Sequence, residues 1–134
     1  MGCTLTGVIW HYGRIWLVNA GDSRSYRFRQ GVLRLLTTDD NERGLTGNPE
    51  AGKLLLNCLG GGCAGHLHVQ SLDGKLMEGD TLLICSDGLS DMLGDEEIEE
   101  ALSREDCSAE SLFLKACERG GTDNISIILA KIIG

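Results

Sequence analysis

Four aspartates stand where apolar runs begin or end. Asp22 follows Val18-Asn19-Ala20-Gly21. Asp87 and Asp91 follow Leu82-Leu83-Ile84-Cys85, and Asp123 precedes Ile125-Ser126-Ile127-Ile128-Leu129. No Lys or Arg lies between residues 82 and 94 to neutralise the middle pair. A carboxylate at the mouth of a buried strand needs a counter-charge, because an unpaired buried charge is costly. Taken singly, each acid is an ordinary turn residue that accepts backbone N–H groups. Gathered at one place, the four would repel and raise one another's pKa unless a cation stood among them. Hard oxygen donors with no His or Cys in the set select Mg²⁺ or Mn²⁺ over zinc. A second metal pattern, Cys58-x4-Cys63-x2-His66-x-His68, is spaced more loosely than structural zinc sites and falls among glycines.

The elements that must carry these acids fit one domain, residues 1–134. With 42% hydrophobic and 24% charged residues, the composition is that of a globular chain. Its apolar runs are strand-sized, so no membrane partner is expected. The net charge of −8 argues against nucleic acid and suits cations. Six cysteines without a short-spaced paired framework read as reduced thiols in a cytoplasmic setting. Met1-Gly2-Cys3-Thr4-Leu5-Thr6 fits an N-myristoylation pattern, but so short a pattern is easily met by accident, and the preferred reading is the start of a strand.

Leu5–Trp10 and Ile15–Val18 flank His11-Tyr12-Gly13-Arg14 as a hairpin. Gly21-Asp22-Ser23 breaks the second strand. Arg24–Arg29 alternates in polarity, and Gln30-Gly31 turns it into Val32–Leu36, which continues an antiparallel meander. Thr37–Gly52 is polar, holds Pro49 and reads as a mobile loop. Lys53–Leu59 is ambiguous between strand and short helix. Leu67–Leu72 and Thr81–Cys85 read as strands, with Asp73-Gly74 turning after the first. Two helices follow. One opens at Gly94-Asp95-Glu96-Glu97, with acids at its positive end; the other is capped by Ser108 and stopped by Gly120-Gly121. A strand over Ile125–Ala130 closes the chain.

Ala20-Gly21-Asp22-Ser23-Arg24, Leu36-Thr37-Thr38-Asp39, Cys85-Ser86-Asp87-Gly88-Leu89-Ser90-Asp91 and Gly120-Gly121-Thr122-Asp123-Asn124-Ile125 resemble, in order, motifs of the metal-dependent PP2C (PPM) Ser/Thr protein phosphatases. Asn57-Cys58-Leu59-Gly60 is similar to the segment ahead of that family's middle strands. The resemblance runs over essentially the whole chain. It implies an α+β fold, an antiparallel β-sandwich flanked by helix pairs. It also implies Mn²⁺ or Mg²⁺ as cofactor and a phosphoprotein as substrate. By position, Asp87 and Asp123 resemble ligands of the catalytic metal pair. Asp22, Asp87 and Asp91 resemble ligands of a further, weaker ion, with Arg24 and Asn124 in support and Arg24 bracing the backbone.

The departures shape the functional expectation. No counterpart of the family's N-terminal half is visible: an Asp-Gly-rich motif, an early acidic ligand and a phosphate-holding arginine are absent. Only one helix pair is present, and Asp40 stands where the family usually has histidine. The expectation is therefore a truncated phosphatase, inactive alone, with a weak or incomplete metal site. It pairs with a second copy or with a completing N-terminal half. The alternative, from another class, is a non-catalytic interaction module or pseudophosphatase of the same fold. His11, His66 and His68 read as structural.

Overall fold

The computed structural model describes residues 1–52, 55–61 and 65–133. Cys63 of the zinc pattern, and Lys53 and Leu54 of the ambiguous segment, lie outside the described residues. In chain order the elements are β1 (Gly2–Cys3), β2 (Leu5–His11), β3 (Arg14–Ala20), β4 (Arg24–Arg29), β5 (Val32–Leu35), α1 (Glu42–Thr46) and β6 (Leu59–Gly60). There follow β7 (His68–Ser71), β8 (Thr81–Cys85), α2 (Asp87–Ser90), α3 (Asp95–Leu102), α4 (Ala109–Glu118) and β9 (Ile127–Lys131). Two compact units form, one from Met1–Arg24 with Thr37–Leu76, the other from Ser25–Leu36 with Met77–Gly134. Among the described residues, no helix is long and apolar enough to cross a membrane.

The first unit is built on an antiparallel sheet ordered β2-β3-β7. β3 is its central strand, and Leu17 through Ala20 are buried without interruption, as expected of a strand covered on both sides. β2 is an edge strand whose Ile9 and Trp10 are exposed. β1 pairs with β6 in a separate short ladder, Gly2 facing Gly60 and Cys3 facing Leu59. The β2–β3 hairpin turns through Tyr12 (φ 48°) and Gly13 (φ 75°), both left-handed, as a two-residue turn matched to strand twist requires.

The second unit carries the sheet β5-β4-β8-β9. Its β4–β5 hairpin uses the same device, with Gln30 at φ 48° and Gly31 at φ 81°. β8 pairs with β9 from Thr81↔Lys131 to Cys85↔Ile127. The helix pair α3 and α4 buries Ile98, Leu112 and Ala116 with Tyr26, Leu83, Cys85, Leu89 and Leu93 in one apolar cluster. Full burial of each large aliphatic side chain is worth roughly 1.5–3 kcal/mol. The acids of α3 do more than complement its positive end. Tyr26 Oη donates to Asp95 Oδ1 at 2.9 Å, and Leu33 N donates to Glu99 Oε2 at 2.8 Å. α4 opens with a full capping box, Ser108 and Ser111 each bonding the other's backbone N–H. Outside this cluster Asp80, fully buried, accepts from Arg29 Nε and Nη2 at 2.7 Å each. The Arg29 guanidinium thereby holds the Asp80 carboxyl below the usual carboxylate range.

The meander does not continue, since β3 and β4 belong to different sheets and β4 takes β8 as its second neighbour. The segment 37–52 is largely loop, as expected, and holds the short helix α1. Residue 40 captures the chain at the break between β3 and β4: Asp40 Oδ2 accepts from Gly21 N at 2.9 Å, and Asp40 N donates to Gly21 O at 3.0 Å. The second edge of β3 is taken by β7, and that of β4 by β8. Just beyond, Asn41 caps α1 by accepting from Gly44 N at 2.8 Å.

Candidate functional site

The acidic site of the second unit is assembled by a close approach of backbone. Gly88 packs directly against the Asn124 carbonyl, where a side-chain Cβ would collide with the oxygen. The glycine of Ser86-Asp87-Gly88 therefore serves contact; its φ is not in the left-handed region. Ser86 fastens the same two segments: its N donates to Ser126 O at 3.0 Å, its Oγ accepts from Ser126 N at 3.0 Å and donates to Asn124 O at 3.3 Å. Residues 123–126 are thus tied to the start of α2, bringing Asp123 within electrostatic range of Asp87. One turn of α2 then carries Asp91 back toward Asp87, with Asp91 N donating to Asp87 O at 2.8 Å. This four-residue helix was not legible beforehand, because it is too short for any periodicity to show.

Asp87 is half-buried, and Asp91 and Asp123 are exposed. Burial, then the negative charges of Asp91 and Asp123, push the Asp87 carboxyl above its ordinary value, and bonds from the Gly88 and Asp87 amides only partly oppose this. Asp123 Oδ1 accepts from Asn124 N at 2.7 Å, which fixes that carboxylate by its own backbone. The donor chemistry fits a hard divalent cation, and the uncompensated charge at Asp87 is what such a cation would relieve. The geometry is less complete than the chemistry. Among the described residues, no group of three His, Cys, Asp or Glu side chains is placed to hold a metal ion. Asp87, Asp91 and Asp123 form a patch of mutual repulsion, and further ligands are needed to close a shell.

Asp22 lies in the first unit, half-buried in the turn after β3. Arg24 pairs with Asp39, Nε to Oδ1 at 2.9 Å and Nη2 to Oδ2 at 2.7 Å. Asp40, marked in the sequence only as standing where the family usually has histidine, is 7% exposed and takes on a role that reading did not give it. Burial alone would raise its carboxyl. Bonds from Gly21 N, Asn57 Nδ2 (2.8 Å) and His68 Nε2 (2.9 Å) outweigh burial and lower it. His68, one of the four residues of the loose zinc pattern, is therefore engaged by a carboxylate, and the His66 ring packs edge-on against it at 4.7 Å. The available signal was the Asn41-x-x-Gly44 cap, which announces a helix start and hence an ordered segment around residue 40.

No family model matches the chain. Individual proteins do. The serine/threonine protein phosphatase PstP of Mycobacterium tuberculosis is 35% identical over 99% of this chain, which spans 28% of that protein. The serine/threonine phosphatase stp of Listeria monocytogenes is 34% identical over 98% of the chain, which spans 57% of it. Among solved structures, the catalytic domain of PstP in complex with two manganese ions superposes with a TM-score of 0.83 at 35% identity. That match covers all of this chain and 60% of the other. The chain thus spans about half, or less, of the curated relatives' length. Over that span, sequence and fold together place the chain in the PP2C (PPM) family of Ser/Thr protein phosphatases.

Proposed function

We propose that this chain is a segment of a metal-dependent phosphatase acting on phosphoserine and phosphothreonine in proteins. In this reading Asp87 and Asp123 are ligands of Mn²⁺ or Mg²⁺, Asp22 and Asp91 are further candidate ligands, and Arg24 and Asn124 support them. The observation that carries the proposal is the Asp87 carboxyl, held under the like charges of Asp91 and Asp123 on a fold shared with a manganese-bound phosphatase domain. When bound, such ions lower the pKa of coordinated water and offset charge on phosphoryl oxygens. The chain's own part is to present carboxylates from two tied segments and keep their repulsion in reserve for the cation.

Titration calorimetry with Mn²⁺ tests the reading. Measurable heat for the wild type and none for Asp87→Ala is the expected result; equal, negligible heats for both would remove the metal assignment. Because no three described acids converge, the segment alone should bind weakly and hydrolyse p-nitrophenyl phosphate only marginally with Mn²⁺ present. Brisk metal-dependent turnover would overturn that part. The reading also includes pairing with a second copy or with a completing half. Sedimentation of a stable monomer at high concentration would exclude self-association. Six cysteines without a paired, short-spaced framework favour a reducing, cytoplasmic compartment.

A further inference from the structure

The turn that carries Asp22 is gripped on both sides by two consecutive acids. On one side Gly21 is bound twice by residue 40, N–H to carboxylate and carbonyl to N–H. On the other, Arg24 lies in the two-pronged grip of Asp39. Ser23 adds a third tie, its Oγ 2.7 Å from Thr4 Oγ1. Gly21 adopts φ 108°, and the Thr4 side chain occupies the space a Cβ would need, so the backbone cannot relax by substitution there. Asp40 reaches further than Asp39. Its Oδ2 also accepts from Asn57 Nδ2, and its Oδ1 meets His68 Nε2. Asn57 in turn holds His66 by both backbone groups, donating to its carbonyl at 2.7 Å and accepting from its N–H at 3.0 Å.

We propose that Asp40 is a positioning residue for Asp22. It fixes the Gly21 peptide, sets the direction in which the next side chain leaves the turn, and couples that turn to Asn57 and His68. The inference rests on the reading of Asp22 as a metal ligand. Asp40 acts through the Gly21 amide and has no need to touch the cation. Outer partners that orient a ligand typically change metal affinity by about 10–100-fold when removed.

The test uses the whole chain at pH 7, with two readouts: hydrogen exchange of the Gly21 amide, and Mn²⁺ affinity from the electron paramagnetic resonance of unbound Mn²⁺. Asp40→Ala should speed Gly21 exchange at least about tenfold and weaken Mn²⁺ about tenfold. Asp40→Asn, which keeps an oxygen for Gly21 N and an amide for His68 Nε2, should restore both to within about threefold. Should Asp40→Ala not fold, Asp40→Glu, displaced by one methylene, should shift both readouts in the same direction. Asp22→Ala separates the two layers of the argument. If it leaves Mn²⁺ affinity unchanged, the ligand reading falls and the positioning role falls with it. If Asp22→Ala weakens binding while Asp40→Ala and Asp40→Glu do not, positioning alone is overturned.

Discussion

Asp40 and Asp87 are both carboxylates withdrawn from solvent, one in each compact unit, and their surroundings act in opposite directions. Asp40 is met by three donors from distant parts of the chain, Gly21, Asn57 and His68, so its charge is favoured and its carboxyl titrates lower than usual. Asp87 is withdrawn from water and met by two further acids, so burial first and like charge second disfavour its charged form, and its carboxyl titrates higher. A buried acid supplied with donors is architecture, and removing it harms folding. A half-buried acid beside like charge is a liability to folding, and in the proposed reading it is kept for the cation.

The largest expected effect lies on the satisfied side. Asp40→Ala leaves Gly21 N, Asn57 and His68 without their common acceptor and should cost roughly 3 kcal/mol in urea unfolding. A loss under about 0.5 kcal/mol would break the comparison. Next is Gly88→Ala, whose new Cβ must displace the Asn124 backbone. Forcing these segments apart should cost roughly 1–3 kcal/mol and abolish the Mn²⁺ heat. Intact Mn²⁺ heat would show that the approach of residues 88 and 124 does not build the site. Smaller, and opposite in sign, is Asp87→Asn. It should stabilise the metal-free protein at pH 7 by up to about 1 kcal/mol, because the site is partly screened by water. Mn²⁺ should raise the melting temperature of the wild type more than that of this variant.

The pH dependence sharpens the contrast at the smallest scale. Asp40 contributes stability that is present above the ordinary carboxylate value of 3.8 and is lost as pH falls through its lowered value. For Asp87 the sign reverses: the protonated form suits the fold, so its contribution is full below 3.8 and is lost as pH rises through its raised value. The advantage of Asp87→Asn should therefore vanish in acid and grow toward neutrality, read by urea unfolding across pH. A difference independent of pH would mean that repulsion is not its source.

What the sequence disclosed depended on how local each cause was. β8 was legible to the residue, because Thr81–Cys85 is an apolar run bounded by turn chemistry. The Ser108 cap and both long helices followed from spacing within single turns. The meander misled because β3 and β4 take their second neighbours, β7 and β8, from far along the chain, and no pattern within either neighbourhood announces that pairing. Asp40 stayed hidden for the same reason, since its partners lie 17, 19 and 28 positions away. The acids of the candidate site could be enumerated from motif likeness. Their mutual approach depends on Gly88 fitting beneath Asn124, a fact of packing in three dimensions.

Tyr12 and Gln30 offer a separate handle on the molecule. Both place a full side chain at the first left-handed position of a two-residue turn, where asparagine is at home and larger residues are disfavoured by about 1–2 kcal/mol. Each hairpin therefore folds against its own tip, and the strands must hold the bend closed. Tyr12→Asn and Gln30→Asn together form a route to a hardier protein that leaves every acid of the candidate site in place, providing a tougher background in which the damaging substitutions above can still be measured.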